Sequence, residues 1–126
     1  MAYDYEIEPE RQLVIVHMWG AVTREEINAS RAAVAGDPLF KPGFSVLVDL
    51  RDLTSSDALS IADIQQLASS TIDPVSRRAF VVHDPATYGL IRMYDGMRSL
   101  MPQHEQVRLF KNVADAQAWL GLPPGR

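Results

Sequence analysis

The sequence contains no cysteine. That excludes disulfide staples and thiolate metal sites, and it is compatible with a reducing compartment. No secretory signal is expected either. The first twenty residues, MAYDYEIEPERQLVIVHMWG, carry acidic charges where such a signal needs a basic start and an apolar core. Apolar runs are short: LVIVHMW and VLVDL fall far below the roughly 18 to 20 residues that cross a bilayer. The expected location is the cytoplasm, with no integral membrane segment. Basic charge is in deficit, with 12 Lys and Arg against 16 Asp and Glu for a net charge of -4. This is the wrong sign for a dedicated nucleic-acid binder, which needs positive surface to displace counterions from phosphates. Three histidines without close ligand spacing give no metal site. No serine sits in a nucleophile-elbow phrase and no glycine-rich phosphate loop occurs. No cofactor is expected, and catalysis is the minority expectation, with His83 or Asp49 as the candidate general base.

What is present describes an ordinary globular chain. With 126 residues, 47% of them hydrophobic and 22% charged, the chain reads as one domain over residues 1–126 that can bury roughly two thirds of its unfolded surface. The charge is unevenly spread. Residues 1–73 hold five Lys and Arg against twelve Asp and Glu, whereas residues 74–111 hold six against three. Such an asymmetry reads as a solvated surface or as mutual attraction of the two halves, and less readily as a basic patch for an anionic ligand or acidic partner.

Residues 3–8 alternate with period two, and residues 12–19 form a β-branched run; Pro9, Glu10 and Arg11 between them make a hairpin turn. Thr23 followed by Glu26 has capping-box spacing and opens a helix through Val34, closed by Gly36, Asp37 and Pro38. Residues 44–51, FSVLVDLR, are of central-strand character. Ser60 with Asp63 caps a helix over 61–71, and residues 78–83 form another core strand. Asp84-Pro85 caps a longer helix running to Met101, whose Leu90, Tyr94, Met97 and Met101 share one face. The side chains of that helix, with Tyr88 and Met93, serve as core or line an apolar groove. Residues 106–111 are the last strand. Asn112 and Asp115 start a helix carrying Ala116, Trp119 and Leu120, and Gly121, Pro123 and Pro124 end it. The predicted order is ββαβαβαβα, a five-stranded mixed sheet with one antiparallel edge, parallel crossovers and four helices.

This order, with several local phrases, resembles the SpoIIAA-like branch of the STAS superfamily, often grouped as STAS/SEC14-like. The phrases are Trp19-Gly20, Asp37-Pro38, Val48-Asp49-Leu50-Arg51, Ala79-Phe80-Val81-Val82, Tyr88-Gly89 with Arg92-Met93-Tyr94, Val107-Arg108-Leu109-Phe110 and Ala118-Trp119-Leu120. The likeness spans nearly the whole chain and is carried by order and spacing. It implies a single STAS-like α/β domain that acts without catalysis, through a protein partner or as a homodimer. Anti-anti-sigma members of that superfamily carry a phosphorylatable serine in an Asp-Ser-Ser-Gly phrase after the central strand. Here the stretch reads Thr54-Ser55-Ser56-Asp57-Ala58: the glycine is absent and the acid follows the serines. Ser55 and Ser56 are therefore expected to serve as loop hydrogen-bonding groups.

In open parallel α/β sheets, ligands bind beyond the carboxyl ends of the strands. That rule selects His17, Trp19, Asp49, Arg51, Asp52, His83, Asp84 and Lys111, with Tyr88 and Arg92 one turn apart on the helix that follows. The amino end of that helix suits an anion. The second expectation is thus a small anionic or amphipathic ligand held by Asp49, Arg51, His83, Tyr88 and Arg92. Each residue also has a plain structural role open to it: Asp49 and Arg51 as an ion pair along one strand, Asp84 as a helix cap.

Overall fold

Four short polar side chains decide where the helices begin. In the computed structural model, which describes residues 3–70, 75–101 and 105–121, Thr23, Ser60, Asp84 and Asn112 each accept a hydrogen bond from the backbone N–H three residues on. Each satisfies a donor that the first helical turn leaves unpaired. The helices they open are α1 (Arg24–Ala35), α2 (Ile61–Ser69), α3 (Pro85–Arg98) and α4 (Val113–Trp119). At Ser60 the capping box is complete, because Asp63 also accepts from the Ser60 N–H.

The strands are β1 (Tyr3–Glu8), β2 (Leu13–Ala21), β3 (Ser45–Ser55), β4 (Arg77–Val81) and β5 (Gln106–Phe110). They lie in the order β1-β2-β3-β4-β5, with β1 antiparallel to β2 and the rest parallel. The order ββαβαβαβα, the mixed sheet and the antiparallel edge agree with the sequence reading. Several boundaries differ, two of them by three residues or more. β3 runs to Ser55, four residues past the expected end, because irregularities in its pairing with β2 keep the ladder going. Gly20 takes φ +75° at that point, a conformation open to glycine. α3 stops at Arg98 instead of Met101. The Arg98 guanidinium turns toward the end of α2, donating to the carbonyls of Ala68 and Ser70. The expected end of α2 at Thr71 lies outside the described residues.

Side chains alternate across the sheet, so each strand serves two faces. The larger core lies under α1, α2 and α3 and contains Val16, Met18, Val46, Val48, Leu50, Ile64, Leu67, Phe80 and Tyr94. On the opposite face, Leu13, Leu47, Ala79 and Val81 pack with Ala116 of α4. α4 rests on β3, β4 and β5. The helical layer is therefore full on one side of the sheet and partial on the other.

Candidate functional site

The larger core is not completely filled. A cavity of about 90 Å³ lies between the sheet and α1, α2 and α3. Its walls are mainly aliphatic and aromatic, with Val16 and Met18 of β2, Val46, Val48 and Leu50 of β3, Phe80 of β4, Ile27 and Val34 of α1, Ile64 and Leu67 of α2, and Leu90 and Ile91 of α3, and they include the charged residues Arg31 and Arg78. The polar residues of the wall are tied to the protein. Ser30 Oγ donates to the Ile27 carbonyl, Thr87 Oγ1 donates to Asp84 Oδ2 and is hydrogen-bonded with Ser56 Oγ, and Tyr94 Oη donates to Glu105. Left empty, a void of that volume costs roughly 2 kcal/mol at about 24 cal/mol per Å³.

Next to the cavity is a buried ionic network. Glu105, with 1% of its side chain exposed, receives Arg78 Nε at 3.0 Å and Arg98 Nε at 2.5 Å. Burial pushes the Glu105 carboxyl up, but the two guanidinium groups outweigh it and hold the group down at about 2. Burial also raises the Tyr94 hydroxyl above its ordinary value, against the pull of the neighbouring arginines. Arg31 Nη1 donates to the Leu67 carbonyl. Together with Arg98, it satisfies the carbonyl groups at the end of α2 that lack intrahelical partners.

A second constellation sits at the carboxyl ends of β2 and β3, on the face that carries α4. Arg51 donates Nε and Nη2 to the two carboxylate oxygens of Asp49 at 2.9 and 2.8 Å. Burial raises the Asp49 carboxyl, and the bonds from Arg51 outweigh that and hold it below its ordinary value. His17 Nε2 lies 2.6 Å from Asp52 Oδ2, and its ring centroid is 5.2 Å from that of Trp19. Strand register places His17 beside Asp49 and Trp19 beside Asp52.

Of the five residues expected to hold a ligand, the structure brings Asp49 and Arg51 together and joins them to His17, Trp19 and Asp52. It does not gather the rest with them. Tyr88 and Arg92 are exposed on α3, which packs on the other face of the sheet, and His83 is exposed between β4 and α3. Asp84 is the N-cap of α3, with its carboxyl held below the usual range chiefly by the Thr87 N–H. Ser55 Oγ accepts from the Asp57 N–H, and the buried Ser56 Oγ is hydrogen-bonded with Thr87 Oγ1; these are the loop bonds expected of them. Sequence reasoning missed the cavity and the Glu105 network. The hydrophobic periodicity names the lining residues as core but not the space left between them, and Glu105 stands in a stretch that reads as surface charge. No group of three or more potential metal ligands occurs among the described residues. No described helix is long and apolar enough to cross a membrane.

No protein-family model matches the sequence, and no curated protein matches it. Among solved structures, the chain is similar to an uncharacterized protein of the DUF3478 family, with a SpoIIAA-like fold, from Shewanella loihica PV-4. The identity is 20%, the TM-score 0.59, and the match covers 94% of each chain. The likeness extends over nearly the whole of both chains, and the chain has a SpoIIAA-like fold.

Proposed function

We propose that the chain is a binding protein for a small apolar molecule, or for the apolar part of a larger one, taken into the cavity beneath α1, α2 and α3. The observation that carries this reading is the cavity itself: about 90 Å³ walled mainly by aliphatic and aromatic side chains in a chain of 126 residues. An empty void is destabilising, and an apolar void without unsatisfied polar groups stays dry and takes apolar guests. Size limits the guest. An engineered cavity of about 150 Å³ admits benzene, so this one accepts fewer carbon atoms unless its walls yield. The wall hydroxyls are engaged with protein acceptors, Arg78 is paired with Glu105 and Arg31 donates to the Leu67 carbonyl, which favours an uncharged guest over a carboxylate.

A test is direct. Xenon titrated into the labelled protein should shift the methyl resonances of Val16, Val48 and Leu67 in preference to those of the opposite face, and the larger benzene should do the same where the walls yield. Val48→Leu, which extends a side chain into the space, should keep or raise Tm and remove the shifts. Absence of methyl shifts with both probes, or a Val48→Leu variant that is destabilised and still binds, would overturn the reading.

The anionic-ligand reading places the ligand on Asp49, Arg51, His83, Tyr88 and Arg92. It asks one small molecule to reach a strand-end pair on one side of the sheet and a helix on the other, and it is the weaker of the two. Under it, Arg92→Ala abolishes ligand-induced stabilisation. Under the cavity reading, Arg92→Ala leaves xenon and benzene binding unchanged.

A further inference from the structure

The sheet face opposite the cavity is graded in charge. By register, the row Glu6, Ile15, Leu47, Ala79, Arg108 crosses it from β1 to β5, running from acid through apolar side chains to base. The neighbouring rows begin with Asp4 and Glu8 at the same edge. At the other edge the base is raised off the sheet. Trp119 of α4 carries the guanidinium groups of Arg77 and Arg108 at 5.5 and 5.7 Å from its ring centroid. α4 packs over β3, β4 and β5, while Asp4, Glu6 and Asp52 are exposed and Ile15, His17 and Trp19 only partly covered.

We infer that this half-covered face is the interface for a second copy of the same chain. A two-fold axis parallel to the strands turns the acidic edge of one copy toward the basic edge of the other. The same rotation sets the second copy's α4 on the bare half of β1 and β2. Charge and shape therefore select one operator, and the contact is self-complementary as a closed dimer requires. The other in-plane axis, perpendicular to the strands, sets acid against acid and helix against helix. The outer side of α4 is small, with Ala114 and Ala118 exposed one turn apart, so close approach to the bare strands is open to it. Its exposed acid, Asp115, is bonded by Asn112 at the first turn.

The experiment is sedimentation velocity at about 100 µM protein and about 0.05 M salt, where exposed charges act over 10 Å or more. A dimer is expected, weakened in about 1 M salt. Glu6→Arg and Arg108→Glu, both at exposed positions, should each weaken it roughly tenfold or more, and the two together should restore it, since like charges at an interface repel and the swap reinstates attraction. Circular dichroism verifies that the variants fold. Asp4→Lys, a second site on the acidic edge, should weaken the dimer in the same direction should Glu6→Arg fail to fold. A monomer under these conditions, or single variants without effect, or a double variant no better than either single one, would falsify the interface. These outcomes are independent of the cavity, which lies on the other face.

Discussion

Glu105 shows how much one side chain can hold. It is buried between Arg78 and Arg98 and receives the Tyr94 hydroxyl as well. Its carboxyl lies at about 2 in the folded chain and near 4.3 in an unfolded one. Because the folded value is the lower, its contribution is complete above the unfolded value. It fades as pH falls from roughly 4.5 toward 2, by on the order of 3 kcal/mol. Urea melts across that range should show the midpoint falling. In Glu105→Gln this acid-dependent loss should flatten, while stability at neutral pH drops by roughly 3 to 5 kcal/mol, because two buried guanidinium groups lose their counter-charge. Asp49→Asn removes the charge paired with the part-exposed Arg51 and should cost less, about 1 kcal/mol or below by the same melts. The second pair was legible in the sequence, since its members stand two apart on one strand. The network was not: Glu105 lies 27 residues from Arg78 and 7 from Arg98, and only the return of the chain from α3 into β5 brings the three together.

At the scale of elements, the information is local, and that is why so much of it could be read. The Thr23, Ser60, Asp84 and Asn112 caps act over three residues. Removing one by Ser60→Ala or Asp84→Ala should cost about 1 kcal/mol in thermal or urea unfolding. Asp84→Ala should be the costlier, because that carboxylate also receives the Thr87 hydroxyl. What escaped the local reading were element ends decided by distant partners. β3 continues past Arg51 because β2 lies alongside to pair with it as far as Ala21. α3 ends at Arg98, where the side chain crosses to the carbonyls of Ala68 and Ser70. Neither partner is within reach of a sequence window.

At the scale of the molecule, the two faces of the sheet divide the work. One face is roofed by three helices over an apolar cavity, and the other is half covered by α4 and graded in charge. If the cavity is the binding site, an apolar guest at about a hundred times its Kd should stabilise the fold by about 2.7 kcal/mol, read as a rise in Tm. That rise should persist in Arg92→Ala and vanish in Val48→Leu. The faces should also be separable, with Glu6→Arg changing mass in solution and leaving guest binding as it was.

The amino-acid sequence by itself determined the order of elements, the helix starts, the parallel crossovers and the resemblance to SpoIIAA-like proteins. Period-two and helical spacing, caps and turn residues all act between near neighbours, and such signals survive in one dimension. Tertiary structure alone decided where residues far apart in the chain meet. It left Asp49 and Arg51 on one side of the sheet and Tyr88 and Arg92 on the other, buried Glu105 between two arginines, and left a space among side chains that the sequence marks only as core. Convergence and void are properties of packing between elements, set by how helices sit on a twisted sheet, and no residue pattern records the gap between two surfaces.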